Sequence, residues 1–211
     1  MTTSQKRYTL LAVALTFVLV SASALFWFLK KPQQAQSISA TGGVSQERYQ
    51  LSESPFFLQT DARWSKDEIG GSREPLRAVG CTICSVSMAL AYHGIEMMPD
   101  QLNEKLKENE GYTEQGWLKW NKIAELIDKK VRIEIPEKLT HETIDKALKA
   151  NQPVIAKVFL NRTITHWVLI VGKSGQEYLI KDPLGDGKTL ESLSKFGSDI
   201  YAIRIVAKAA A

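Results

Sequence analysis

From residue 8 to residue 29 the chain is apolar almost without interruption and carries no charge. At the helical rise such a run spans roughly 33 Å, about the hydrocarbon thickness of a bilayer. Lys6 and Arg7 flank it on one side and Lys30 and Lys31 on the other, and Phe26-Trp27-Phe28 sits where an interfacial aromatic belt is expected. Ser21 to Ala24 are small enough for a signal peptidase, but the apolar run continues past them. The expectation is an uncleaved signal anchor at 8–29, a short cytoplasmic tail at 1–7, and export of the rest of the chain. Residues 30–50 are poor in large apolar side chains and read as a flexible tether. The remaining stretch, 51–211, is long enough for one compact domain.

Within that domain the apolar period changes partway. Residues 75–79 read as loop. From Cys81 the residues Ile83, Val86, Met88, Ala89 and Leu90 make an apolar helix that stops at His93-Gly94. Leu102 and Leu106 mark a short helix after Pro99. Trp117, Trp120, Ala124 and Ile127 predict another over 116–130, and Thr140 caps a helix carrying Ile144, Ala147 and Leu148 on one face. Beyond Pro153 the pattern turns β-branched. Strands are expected at 153–160, 166–171, 178–181 and 200–206, with a turn at 172–175. Helices first and an antiparallel sheet afterwards predict an α+β fold.

Composition adds little. The formal charge of +4 is small and partly beside the apolar run, so it supports no nucleic-acid partner. The two cysteines, Cys81 and Cys84, and three histidines lack the second ligand pair of a zinc site, and no cofactor is expected.

The chemistry must come from Cys81 or Cys84. As a CxxC pair they suit thiol–disulfide exchange, but that motif normally follows a strand, and here a loop is expected before it. As small core residues they would simply pack. The third reading makes Cys81 a nucleophile: it follows Gly80 in a helix's first turn, where unpaired N–H groups and the dipole favour a thiolate. A base is then needed. His93 and His141 sit at helix ends and read as surface residues. His166 opens an apolar strand, and Asp182 closes the next one. A hairpin with an odd-numbered loop around Ser174 sets 166 opposite 182, close enough for a carboxylate–imidazole hydrogen bond. The Cys81 N–H is one oxyanion donor by geometry, and Gln59 offers a neutral amide as another.

Gln59-x-Asp61-x-Arg63-Trp64, Gly80-Cys81 with Met88 beyond it, Gln152-Pro153-Val154-Ile155, His166-Trp167-Val168 and Asp182-Pro183 occur in that order. The combination resembles the bacteriocin-processing (double-glycine) peptidase-like family of papain-clan cysteine peptidases. Thr82-Ile83 depart from the Gly-Pro or Gly-small pair usual after the family's cysteine. The resemblance covers roughly residues 55–206 and implies a papain-like fold. It also implies Cys81 as nucleophile, His166 as base, Asp182 as orienting residue and Gln59 as oxyanion donor. The expected function is a thiol hydrolase acting on a peptide or protein substrate outside the membrane. A silent peptide-binding module and a CxxC exchange protein remain alternatives. Ser65 to Val79 and Glu108 to Gln115 are the expected cleft walls.

Overall fold

The computed structural model describes residues 37–209. The expected tail, the apolar run at 8–29 and the start of the tether lie outside the described residues. Among the described residues no helix is long and apolar enough to cross a membrane.

The elements follow the expected α+β order except for two strands, one ahead of all the helices and one before the last of them. Strand β1 (Thr41–Gln50) is followed by α1 (Leu76–Val79), α2 (Cys81–Tyr92), α3 (Pro99–Glu108) and α4 (Trp120–Leu126). Then come β2 (Val131–Glu134), α5 (His141–Lys149), β3 (Val154–Leu160) and β4 (Ile164–Lys181). The chain closes with β5 (Glu191–Ser192), a 3-10 helix (Leu193–Phe196) and β6 (Ala202–Lys208). One antiparallel sheet runs in the order β1-β4-β3-β6-β2, with β5 paired to β4.

The central strands are buried on both faces, which is why their sequences read as continuous apolar runs. Ile155, Leu169 and Val206 face one way and join the core formed with α2 and α3. Val154, Val168, Ile170 and Ile205 face the other way, with Ile144 and Leu148 of α5. Helix α2 is buried at every position from Ile83 to Leu90, so it is a core helix and not a one-sided surface helix. Ser85 on α2 donates to the carbonyl of Trp167 at 3.1 Å, which fixes the helix against β4 one turn past Cys81 and one residue past His166.

Four expectations need correction. The end of the tether is not free: 41–50 pair along β4, with Gln50 opposite Gly172 and Tyr49 opposite Lys173. Asp145 holds this strand from α5, accepting the Val44 N–H at 2.9 Å and buried Lys173 at 2.7 Å. The expected turn at 172–175 is therefore counted within one long β4, because β1 hydrogen-bonds through it. The chain still reverses there. A straight strand would set residues 166 and 182 roughly 50 Å apart, yet their side chains bond at 2.7 Å, and Gly175 takes φ 59 at the bend.

The third correction is at 116–130, where only Trp120–Leu126 are helical. Gly116 adopts φ 79, Tyr112 bridges Leu118, and Asp128 and Lys129 at φ 53 and 56 stop the far end. Finally, 75–79 is not loop but mostly the single-turn α1, joined to α2 through Gly80. A Cβ on Gly80 would stand 2.5 Å from the Leu76 carbonyl oxygen, so the junction requires glycine.

Candidate active site

Helix α2 delivers Cys81 at its first position, and the two ends of the folded-back β4 deliver His166 and Asp182. His166 Nε2 bonds Asp182 Oδ1 at 2.7 Å, with both side chains 2 % exposed. Cys81 and His166 line the same cleft, and with Nε2 committed to Asp182 the imidazole has Nδ1 left over. Phe196 packs edge-on to the ring at 5.6 Å. Cys81 is 7 % exposed and opens onto a cleft of about 580 Å³.

Gln59 ties the helical side to the sheet side. Its backbone N–H donates to the Pro183 carbonyl at 3.0 Å, and its side-chain Nε2 donates to the Arg77 carbonyl at 2.8 Å. In an unbroken helix the Arg77 carbonyl would accept the Cys81 N–H. Here the Cys81 N–H makes no backbone hydrogen bond among the described residues, and Gln59 occupies that carbonyl instead. The amide keeps a second N–H, and the side chain lines the same cleft as Cys81. Around Gln59 the sequence motif has a structural role: Trp64 is 1 % exposed and donates to the Leu58 carbonyl, while Asp61 and Arg63 pair at the surface.

The charges at the site support one another. Burial pulls the His166 imidazolium down, but hydrogen bonds to Asp182 and Cys81 outweigh it and lift its pKa from 6.5 to about 9. Burial likewise pushes the Asp182 carboxyl up. Bonds from His166, Lys195 and the Leu184 N–H reverse this and bring it from 3.8 down to about 2. The second cysteine is different: Cys84 is fully buried, and burial pushes its thiol far above the ordinary range. Both cysteines are free.

The cleft walls include parts of both expected segments, through Ile69, Glu74 and Val79 on one and Tyr112 and Gln115 on the other. They also include Trp117, Ile164 and Leu184, which were not expected there. These three are 71 %, 58 % and 43 % exposed. Thr82, which departs from the family pattern, lines the cleft, while Ile83 is 2 % exposed and belongs to the core. His93 and His141, expected at the surface, are half-buried. His93 bonds the Val206 carbonyl and His141 bonds the Tyr178 hydroxyl, both away from Cys81.

Residues 77–209 match the model of the Peptidase C39 family; Gln59 precedes the matched stretch. The chain is similar to a C39-like peptidase from Bacillus anthracis whose crystal structure is known, at 18 % identity and a TM-score of 0.46. That similarity covers 78 % of this chain and 100 % of the other. No curated protein matches the chain.

The shifted groups predict how stability depends on pH. His166 titrates higher in the folded chain, so its contribution is complete below pH 6.5 and lost as pH rises through about 9. Asp182 titrates lower, so its contribution is complete above pH 3.8 and lost as pH falls through about 2. The Tm difference between the native chain and His166→Gln should therefore shrink steadily from pH 6 to pH 9.5. A difference that stays constant over that range contradicts the assignment.

Proposed function

The chain belongs to the peptidase C39 family, and we propose on that premise that it hydrolyses peptide or isopeptide bonds. Cys81 is the nucleophile, His166 its base, and Asp182 orients the imidazole. The Cys81 N–H and the Gln59 amide hold the oxyanion. The observation that supports this reading is one buried ring: Nε2 is committed to Asp182 at 2.7 Å, which leaves Nδ1 free on an imidazole that lines the same cleft as Cys81.

In the first half-reaction the Cys81 sulfur, its proton held on Nδ1, attacks the scissile carbonyl carbon. The carbonyl electron pair moves onto oxygen, where two N–H donors meet the charge. Collapse of the tetrahedral intermediate breaks the C–N bond, and the leaving amine takes the proton from Nδ1. Neutral His166 then removes a proton from water, which attacks the thioester and restores the sulfur. An amine in place of water gives transpeptidation. Throughout, Asp182 keeps Nε2 protonated, and its charge stabilises the imidazolium.

Two alternatives are less well supported. Thiol–disulfide exchange needs Cys84 to be reachable, and it is fully buried among core residues. A silent binding module does not need a His166–Asp182 pair, each 2 % exposed, beside a cysteine that opens onto the cleft. The exposed apolar walls favour a peptide that carries a bulky apolar side chain near the scissile bond. Solvent-facing Trp117 is its principal contact, since an aromatic ring offers a large area at low entropic cost.

Against a peptide library, Cys81→Ala and His166→Ala should each lower hydrolysis by roughly 10³-fold or more. Gln59→Ala should cost roughly 10²-fold, the usual loss of one oxyanion donor. Hydrolysis that survives Cys81→Ala would exclude this mechanism. For the peptides that are cleaved, Trp117→Ala should raise KM about tenfold with kcat little changed, as expected when uniform binding is lost. An unchanged KM would remove Trp117 from the substrate site.

A further inference from the structure

Asp182 is engaged through both carboxylate oxygens. Oδ1 accepts from His166 at 2.7 Å and from the Leu184 N–H at 2.9 Å. Oδ2 accepts from Lys195 Nζ at 2.5 Å, and the same ammonium reaches Glu191 Oε2 at 2.7 Å. Four charged positions thus stand in line: imidazolium, carboxylate, ammonium, carboxylate. The first two are 2 % exposed, while Lys195 and Glu191 are 30 % and 31 % exposed.

This line is built by one short segment. Glu191 pairs with Ile180, two residues before Asp182, and fully buried Leu193 anchors the 3-10 helix in the core. Lys195 and Phe196 follow on that helix, the first on Asp182 and the second against the His166 ring. Gly185 makes room for it: a Cβ there would stand 2.7 Å from Glu191 Oε2.

We propose that Lys195 is a positioning residue that acts through Asp182: by holding Oδ2 it draws part of the carboxylate's charge away from His166 and tempers the imidazole's basicity. The inference rests on the peptidase reading of the site. An ordinary exposed ion pair contributes little, but here Asp182 is 2 % exposed, so what Lys195 does to its charge is felt at the ring with much less screening. Tempering matters for turnover because deacylation needs His166 neutral to take a proton from water. In the thioester the Cys81 sulfur carries no charge to hold the proton on His166, so the pull of Asp182 is what keeps the ring protonated. Gripping it with the whole carboxylate charge would leave the thioester waiting. The charged and titratable groups around His166 are Cys81 from α2 and Asp182 after β4. Lys195 and Glu191 lie beyond the carboxylate, and Glu74 and Lys157 line the cleft.

The test is an NMR titration of the His166 ring nitrogens in the full chain, for the native protein and K195M, K195R and E191Q. Removing the ammonium should raise the His166 midpoint by about half a pH unit or more. Removing the Glu191 charge should lower it, and K195R should leave it close to native. A purely structural latch predicts instead that K195M and E191Q both loosen the carboxylate and shift the midpoint downward together. That result, or an unmoved midpoint in K195M, overturns the proposal. Should K195M fail to fold, K195Q decides in its place: a raised His166 midpoint supports the proposal, and an unmoved or lowered one overturns it. In turnover, K195M should lower kcat several-fold at pH 7 with KM within about twofold, recover as pH rises, and be rescued by K195R. Because the titration needs no substrate, an inert Cys81 would defeat the peptidase reading without deciding the role of Lys195.

Discussion

The bond between His166 and Asp182 is the constraint around which the rest of this domain is arranged. The two residues are sixteen apart, His166 near the start of β4 and Asp182 just past its end, and they meet only because β4 folds back on itself. The fold-back is enforced from outside. Strand β1 pairs along the bend, and Asp145 and Lys173 pin it there from beneath. Once the ends of β4 are together, Ser85 fixes α2 against Trp167 and Gln59 bridges Arg77 to Pro183. Those three ties bring a helix start and two strand ends to one place, and a charged pair can be buried there because each member satisfies the other.

The same arrangement explains why only one of the two cysteines is suited to chemistry. They sit one helical turn apart, yet Cys81 opens onto the cleft beside an imidazole, whereas Cys84 is sealed in the core between α2 and the sheet. The single-turn α1 sharpens the contrast. With Gly80 at the junction and Gln59 on the Arg77 carbonyl, the helix is interrupted where an unbroken one would have hidden the Cys81 N–H.

Much of this was legible in the sequence, for identifiable reasons. The apolar run after Cys81, the Thr140 cap and the β-branched segments after Pro153 follow local periodicity, and the elements formed where the pattern put them. The spacing of His166 and Asp182 about Ser174 was readable because side chains alternate along a strand. What local pattern could not carry was long-range pairing. Residues 41–50 look like a tether because their partners, Asp145 and Lys173, lie about a hundred residues away. Trp117 and Trp120 share a helical spacing, yet Gly116 at φ 79 turns Trp117 out to solvent. Lys195 gave no signal at all, since a lysine before Phe196 looks like any surface residue until the chain folds it onto Asp182. Gln59 was visible mainly through its family motif, and its position shows why a glutamine is wanted there: its backbone and side chain face opposite halves of the cleft.

The central claim is that Cys81 and His166 act as one ionised pair, and the rate of Cys81 alkylation as a function of pH tests it most directly. At each pH from 6 to 8 the native chain should react with iodoacetamide at least roughly tenfold faster than His166→Ala, because the variant lacks the group that takes the thiol's proton. Cys84, being buried, should not contribute. A native rate that does not change across this range when His166 is removed would contradict the account.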